Sequence, residues 1–248
     1  MNLLYGAMLP PSVAAFAQTK GLSTTQVSVG ESGADGGGGH SHISAVASNG
    51  GGCVFVASEV TEHGLDLVMI PSVCACVEAT PSFCGFDDGV VRRIEDNDVY
   101  LSLTTASAYK NEVALHFYRW IDAKIALSED LKMKLELALQ EALANGLIHG
   151  NMGLNKTLPD SFHDLGSYAD TVQDKLESVE AGQKRIEVWA KWGAEALSVS
   201  ILDHGAGFDV EAPVEQSVTG WGLNLIESLT SGIAITEGGR MMTMRFER

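Results

Sequence analysis

Two runs of alternating apolar side chains, separated by a short glycine turn, constrain the fold of this chain most strongly. The apolar positions are Ile186, Val188, Ala190 and Trp192 in the first run and Leu197, Val199 and Ile201 in the second. Successive side chains of a β-strand point to opposite faces, so this spacing predicts two strands. Gly193 stands at the turn between them, and the pair is therefore predicted to form a β-hairpin.

One strand and two helices are predicted before this hairpin. Residues 98–103 alternate in the manner of a half-buried strand, and residues 107–125 carry apolar side chains at helical spacing. Ser128 is placed to cap a second helix, which is predicted to run as far as Gly150 because glycine commonly ends a helix.

A helix and a second hairpin follow. Apolar side chains predict the helix near residues 223–229, and residues 233–236 and 240–246 predict two strands around a glycine turn. The resulting order is strand, helix, helix, two strands, helix, two strands. This order predicts an α+β fold built as a two-layer α/β sandwich.

The first 95 residues differ in composition from the rest because they contain runs of glycine. Such runs raise the entropy cost of ordering the chain, so residues 30–52 are predicted to form a flexible loop. Residues 53–57 predict a buried strand, and residues 65–77 predict a packed helix. We therefore expect a smaller, glycine-rich α/β region at residues 1–95, followed by the main unit at residues 96–248.

Charge and cysteine content exclude several classes of function. The chain carries 32 acidic residues against 16 basic ones, a net charge of −16, so nucleic acids and anionic membranes are poor partners. No apolar run approaches the roughly 20 residues that a membrane-spanning helix needs. The four cysteines lie in the first third of a chain without a predicted export signal. We therefore expect reduced thiols and a cytoplasmic location.

A polar stripe runs along the helix predicted after Ser128. Glu141, Asn145 and His149 are spaced by four residues, which places all three side chains on one face of the helix. Burying a carboxylate, a carboxamide and an imidazole is costly without polar partners. The stripe is therefore either the solvent face of an amphipathic helix or part of a site.

Two glycine motifs follow further along the chain. Asp203 ends the second hairpin strand and is followed by Gly205 and Gly207, so a carboxylate stands beside backbone that can approach a flat ligand closely. Such a carboxylate can accept a hydrogen bond from an exocyclic amine like that of adenine. Gly220 and Gly222 directly precede the last helix, whose free N–H groups and dipole favour a phosphate. Each motif alone is also compatible with an ordinary loop or helix start.

In this order, the three motifs strongly resemble the ATP-binding module of the GHKL superfamily, which unites gyrase, chaperone, histidine-kinase and mismatch-repair ATPases. The resemblance covers roughly residues 98–248. The wording Glu-Ala-x-x-Asn-x-x-x-His-Gly, Asp-x-Gly-x-Gly-Phe-Asp and Gly-x-Gly-Leu-x-Leu-Ile is most similar to that of the bacterial anti-sigma serine/threonine kinases.

The resemblance implies an ATP and Mg²⁺ site on the predicted helix. Asn145 would hold Mg²⁺ through its side-chain oxygen. Glu141 would orient or deprotonate the attacking hydroxyl, a serine on a partner protein. His149 would either contact the nucleotide region or hydrogen-bond a carbonyl at the end of the helix.

The same resemblance implies how the nucleotide is held. Asp203 would recognise adenine, and Gly205 and Gly207 would shape the pocket around it. The lid over the phosphates would include Gly220, Gly222 and Leu223.

The chain departs from the family pattern in two places. Residues 208–219 include acidic side chains but no Lys or Arg, so a lid built from them offers the polyphosphate no side-chain counter-charge. Residues 152–184 form an insertion in which Val172, Leu176 and Val179 fall at helical spacing. We expect an extra amphipathic helix there, either a partner-binding appendage or a cover for the sheet edge.

The N-terminal region is faintly similar to serine phosphatases of the PP2C type, which work in partner-switching pathways. In this chain Glu59 and Glu62 replace an Asp and a Gly of the phosphatase motif, and metal pairs tolerate displaced carboxylates poorly, so no dephosphorylation is expected. Cys74, Cys76 and Cys84 match no zinc signature well. Their apolar neighbours favour buried structural cysteines.

The leading hypothesis is an ATP- and Mg²⁺-dependent serine/threonine protein kinase. It would phosphorylate an anti-sigma antagonist protein and sequester a sigma factor or similar regulator, and analogy suggests a homodimer. One alternative is a nucleotide-sensing binding module without catalysis, which the cation-free lid motivates. Another is a histidine-kinase catalytic fragment. It is disfavoured because His116 lacks the acidic neighbour and following proline of a phosphoacceptor helix.

Overall fold

The computed structural model describes residues 2–5, 23–26, 43–44, 53–57, 60–67, 69, 72–80, 87–154, 162–208 and 219–248. Within these ranges, ten strands form one sheet. They are β1 Asn2–Tyr5, β2 Ser23–Gln26, β3 Ile43–Ser44, β4 Cys53–Ala57, β5 Val73–Glu78, β6 Val99–Thr104, β7 Arg185–Trp192, β8 Ala196–Asp203, β9 Gly232–Thr236 and β10 Met241–Glu247. The spatial order is β2, β1, β4, β5, β6, β7, β8, β10 and β9, and β3 pairs with β4 outside that path.

The sheet changes character at β6. From β2 to β6, neighbouring strands on the main path run parallel. From β6 to β9, neighbouring strands run antiparallel. β6 therefore joins a parallel N-terminal half to an antiparallel C-terminal half, and the sheet continues across the boundary proposed between residues 95 and 96.

The described helices are α1 Glu62–Leu67, α2 Asp88–Asp96, α3 Thr105–Lys110, α4 Val113–Ile125, α5 Glu129–Ala144, α6 Phe162–Glu177, α7 Val179–Gly182 and α8 Thr219–Leu229. α5 continues as a π-helical segment, Asn145–Asn151. Ser128 caps α5 as predicted, because its Oγ accepts a hydrogen bond from the Leu131 N–H. The order of these elements confirms the predicted α+β sandwich for the C-terminal unit.

The helices α4 and α5 bury the apolar face of the antiparallel half. On β6 and β7, that face consists of Val99, Leu101, Leu103, Ile186, Val188 and Ala190. Phe117 and Trp120 of α4 form an edge-to-face pair with ring centroids 6.1 Å apart. Leu135 and Leu139 of α5 belong to the same core cluster, so both helices are held against the sheet by apolar packing.

Two predicted helices differ from the structure. The helix predicted at residues 65–77 is wrong, because the chain forms the short α1 and then the strand β5. The apolar run of β5 is almost continuous because both of its faces are covered, and periodicity does not distinguish such a strand from a buried helix. The helix predicted at residues 107–125 is split into α3 and α4. Asn111 lies at the break in an extended conformation, and its Nδ2 donates to the Val60 and Ser107 carbonyl oxygens.

The strand β6 is buried on both faces, not half-buried as predicted. On its polar face, the Tyr100 hydroxyl and the Arg93 guanidinium donate hydrogen bonds to the Glu187 carboxylate. Further along the same face, the Arg185 guanidinium donates to the hydroxyl and carbonyl oxygens of Ser102. These pairs satisfy polar side chains that are otherwise costly to bury.

The extra helix predicted within residues 152–184 is present as α6. Val172 and Leu176 are buried as expected. Val179 is 77% exposed, because α6 ends at residue 177 and Ser178 caps the separate helix α7. The buried apolar face of the extra helix therefore includes Val172 and Leu176 but not Val179.

Only some of the predictions for the N-terminal region fall on residues that the structure describes. The buried strand predicted at residues 53–57 is confirmed as β4. Cys76 is buried, and this burial raises the pKa of its thiol well above the ordinary value. Cys84 lies outside the described residues. The loop predicted at residues 30–52 also lies outside them, except for the two residues of β3, which form a strand. Of the helices that the structure describes, none has the length and apolar character to cross a bilayer.

Shortening two leucines of α5 tests this packing. Leu139 is fully buried, so Leu139→Ala should leave a cavity and lower the free energy of unfolding by about 2–5 kcal/mol. Leu137 is 41% exposed, and Leu137→Ala should cost less than about 1 kcal/mol. Urea unfolding followed by circular dichroism measures both changes. Equal losses of unfolding free energy in the two variants would contradict the burial of Leu139 in the core.

Candidate functional site

The polar side chains Glu141, Asn145 and His149 lie around the point where α5 changes from an α-helix to a π-helix. Glu141 belongs to the last turn of α5, and Asn145 begins the π-helical segment. The Asn145 Nδ2 donates a hydrogen bond to the Glu141 Oε1 over 3.4 Å, and both side chains are partly buried. Short π-helical turns occur frequently at functional sites. The structure thus pairs the carboxylate and the carboxamide that the sequence places on one face.

The π-helical segment packs directly on the end of β8. A Cβ atom added to Gly150 would lie 2.5 Å from the Asp203 carboxylate, and one added to Gly205 would lie 2.1 Å from the Gly150 carbonyl oxygen. Both distances are too short for a real side chain, so only glycine fits at these two positions. This contact holds the second motif against the first.

Asp203 is 7% exposed. Its Oδ1 accepts a hydrogen bond from the Gly205 N–H over 2.8 Å. Burial raises the pKa of the Asp203 carboxyl above its ordinary value, and the hydrogen bond from Gly205 and the charges of His204 and Arg240 oppose that rise. A buried carboxylate with a perturbed pKa is typical of a functional site.

The loop after Asp203 is tied to the turn between β9 and β10. Gly207 has a φ of +73°, a left-handed conformation that favours glycine. The Phe208 N–H donates a hydrogen bond to the Gly238 carbonyl oxygen over 3.1 Å. The glycine at 207 therefore lets the loop turn onto the neighbouring hairpin.

The third motif meets the first at Glu141. A Cβ atom on Gly222 would lie 1.9 Å from the Glu141 Oε1, so the first turn of α8 rests on this carboxylate. Gly220 and Leu223 belong to the same turn, and Leu223 is partly buried. Residues 209–218, which contain most of the predicted lid, lie outside the described residues.

The imidazole of His149 is engaged close to its own segment. Its Nδ1 donates a hydrogen bond to the Leu154 carbonyl oxygen over 2.6 Å. This hydrogen bond corresponds to one of the two predicted alternatives, in which His149 contacts a carbonyl at the end of the helix. A contact between His149 and a nucleotide stays a prediction.

Two buried polar side chains beside the site, Asn151 and Glu187, were not predicted from the sequence. Asn151 accepts a hydrogen bond from the His204 N–H, and Glu187 pairs with the His204 ring. Burial alone would raise the pKa of Glu187, but hydrogen bonds from His204 and Tyr100 and the charge of Arg93 hold it below its ordinary value. Strand alternation places Glu187 on a polar face that is usually solvent-exposed, so the sequence carried no signal of its burial.

A separate groove of about 310 Å³ lies between α3, the start of α4 and α5. Tyr109, Glu112, Gln140 and Leu147 contribute to its wall. The residues that line it do not include Glu141, Asn145 or Asp203. The groove is therefore distinct from the place where the three motifs meet.

Comparison with known protein families finds a match for the C-terminal part of the chain. The family model of the histidine kinase-like ATPase domain matches residues 104–246, more than half of the 248-residue chain. The chain belongs to the histidine kinase-like ATPase domain family, and this membership implies that it binds ATP. The matched range contains all three motifs. No curated protein matches the chain.

Gly150→Ala tests the close contact between the π-helical segment and β8. The added methyl group should displace the Asp203 carboxylate, lower the free energy of unfolding by about 1–3 kcal/mol and weaken ATP binding by at least about tenfold. Gly193→Ala is the control, because a Cβ atom there meets nothing within 4 Å. Thermal unfolding and isothermal titration with ATP measure both effects. Unchanged ATP affinity in Gly150→Ala would contradict the role of this contact.

Proposed function

We propose that the chain is an ATP- and Mg²⁺-dependent serine/threonine protein kinase of the anti-sigma type. One observation carries the proposal: α5 and its π-helical end contact Asp203 through Gly150 and the start of α8 through Glu141. Phosphoryl transfer depends mainly on positioning and electrostatic stabilisation, so a base and a nucleotide site on one rigid element support this chemistry.

Each group would contribute what its chemistry allows. The Asp203 carboxylate would accept a hydrogen bond from the adenine amine. The first turn of α8 would offer backbone N–H groups and the positive end of its dipole to the phosphates. Glu141 would orient or deprotonate the serine hydroxyl of the protein substrate, since Gly222 places the start of α8 against its carboxylate.

The donor set fits Mg²⁺. Asn145 offers its side-chain oxygen, because its Nδ2 is the atom that donates to Glu141. Mg²⁺ keeps several waters and is commonly bound by one or two side chains together with substrate phosphates. In the part of the chain that the structure describes, no group of three His, Cys, Asp or Glu side chains could hold a metal. When bound, the ion would neutralise phosphate charge.

The partners are proposed from the resemblance to anti-sigma kinases. They are an antagonist protein as the phosphorylated substrate and a sigma factor or similar regulator as the sequestered partner, with a homodimer as the assembly. The likeness of the N-terminal region to PP2C-type phosphatases stays a prediction, because Glu59 lies outside the described residues.

A nucleotide-sensing module is the second candidate. Residues 208–219 contain no Lys or Arg, so the lid offers no cation to stabilise a transferring phosphoryl group. A histidine-kinase fragment is disfavoured. His116 is buried, and its Nδ1 lies 3.2 Å from the Asp66 carboxylate, so its ring is not presented to a nucleotide.

Glu141→Gln separates nucleotide binding from transfer. Glutamine keeps the volume of the side chain but cannot act as a base, so ATP affinity should stay within about threefold and transfer should fall by at least about a hundredfold. Transfer of radiolabelled phosphate from ATP to a purified anti-anti-sigma antagonist measures the loss. Glu136→Gln on the same helix is the control and should retain transfer. ATP binding without any transfer by the wild-type chain would contradict the kinase and favour the sensing module.

Asp203→Asn should lose binding without losing stability. Because burial raises the pKa of Asp203, its ionised form destabilises the fold above the folded-state pKa, and this effect vanishes below the ordinary value of 3.8. The variant should therefore melt at an equal or higher temperature at pH 7, with the difference narrowing as the pH falls through the folded-state pKa towards 3.8. Its ATP affinity should fall by about tenfold or more. Thermal unfolding across this pH range and isothermal titration measure both changes, and a less stable variant with unchanged affinity would contradict the assignment.

A further inference from the structure

Asn151 ends the π-helical segment and is 1% exposed. Its Nδ2 donates hydrogen bonds to the Thr105 Oγ1 and to the Arg185 carbonyl oxygen, both over 2.9 Å. Its Oδ1 accepts a hydrogen bond from the His204 N–H over 2.8 Å. A flipped carboxamide would place its NH₂ group against that N–H, so these partners fix its orientation. One buried side chain thus connects the start of α3, the start of β7 and the loop after β8.

The hydrogen bond to His204 acts on the peptide that directly follows Asp203. That peptide lies between the Asp203 carboxylate and the Gly205 N–H, which are themselves hydrogen-bonded. On the other side, the Asp203 N–H donates to the Arg240 carbonyl oxygen over 3.1 Å. The N–H groups of Asp203 and of the next residue, His204, are therefore both hydrogen-bonded, and Asn151 accepts the second of these bonds.

The far side of Asn151 is fixed in the same way. Thr105 is fully buried, and its Oγ1 donates a hydrogen bond to the Lys184 carbonyl oxygen over 3.0 Å. The Lys184 Nζ donates in turn to the Asn151 carbonyl oxygen over 3.0 Å. Hydrogen bonds to the start of α3 and to the chain entering β7 therefore fix the position of Asn151. Its hydrogen bond with the His204 N–H then holds the loop after Asp203 in a fixed place relative to these elements.

We infer that Asn151 is a positioning residue for purine recognition: it fixes the direction of the Asp203 carboxylate and so sets a preference for 6-aminopurines over 6-oxopurines. This role rests on the proposed function of Asp203. A carboxylate accepts a hydrogen bond from an exocyclic amine but repels a carbonyl oxygen in the same place. The preference depends on where the carboxylate points, whereas a loss of overall stability leaves the ratio of the two affinities unchanged.

The experiment compares ATP with inosine triphosphate, which carries a carbonyl oxygen in place of the amine. Isothermal titration gives both dissociation constants for the full chain and its variants, and thermal unfolding shows which variants are folded. Asn151→Leu removes all the side-chain hydrogen bonds at similar volume. Asn151→Ser is a milder variant whose hydroxyl is too short to replace the carboxamide oxygen. Thr105→Val is the matched control, because it removes buried hydrogen bonds of the same network but leaves the contact between Asn151 and His204.

The wild-type chain and Thr105→Val should prefer ATP by at least about tenfold. The folded Asn151 variants should bind the two nucleotides within about threefold of each other. A folded Asn151 variant with the wild-type preference, or loss of the preference in Thr105→Val, would overturn the role of Asn151. A wild-type chain without any preference would instead overturn the proposed role of Asp203, so the two failures are distinguishable.

Discussion

The contact between the π-helical segment Asn145–Asn151 and the end of β8 is the constraint on which the site depends. Gly150 and Gly205 carry no side chains, so the two backbones come close enough for the Asp203 carboxylate to lie beside the helix. Protein interiors are close-packed, and a single methyl group at either glycine has no space to occupy. The same helix carries Glu141 and Asn145. One rigid element therefore sets the relative positions of Glu141, Asn145 and the Asp203 carboxylate.

The sheet beneath this helix gives the contact its rigidity. β6 pairs with a parallel strand on one side and an antiparallel strand on the other, so the N-terminal half is part of the support. The buried Glu78 at the end of β5 accepts hydrogen bonds from the Thr104 N–H and the Ser107 hydroxyl, both over 2.6 Å. These bonds join the N-terminal half to the start of α3. Sites held by helices and strands are more precise than sites held by loops alone, and here the support reaches the loop after β8 through Asn151.

Local periodicity is enough to predict much of this fold, because it reports which face of an element is buried. It predicts the hairpins β7–β8 and β9–β10 and the capped helix α5, and the spacing of Glu141 and Asn145 predicts their shared face. It fails at β5, which is buried on both faces and therefore shows no alternation. It also fails at Asn151 and Glu187, whose partners lie far away in sequence and meet them only in the folded chain. From local sequence alone, a polar residue that stays in contact with solvent cannot be distinguished from one that is buried by distant parts of the folded chain.

A crystal structure with a non-hydrolysable ATP analogue and Mg²⁺ addresses most directly whether the three motifs form one nucleotide site. We predict that the adenine amine lies at the Asp203 carboxylate and that the phosphates and Mg²⁺ lie between Asn145 and the first turn of α8. A nucleotide bound away from Asp203, for example in the groove between α3 and α5, would contradict a shared site.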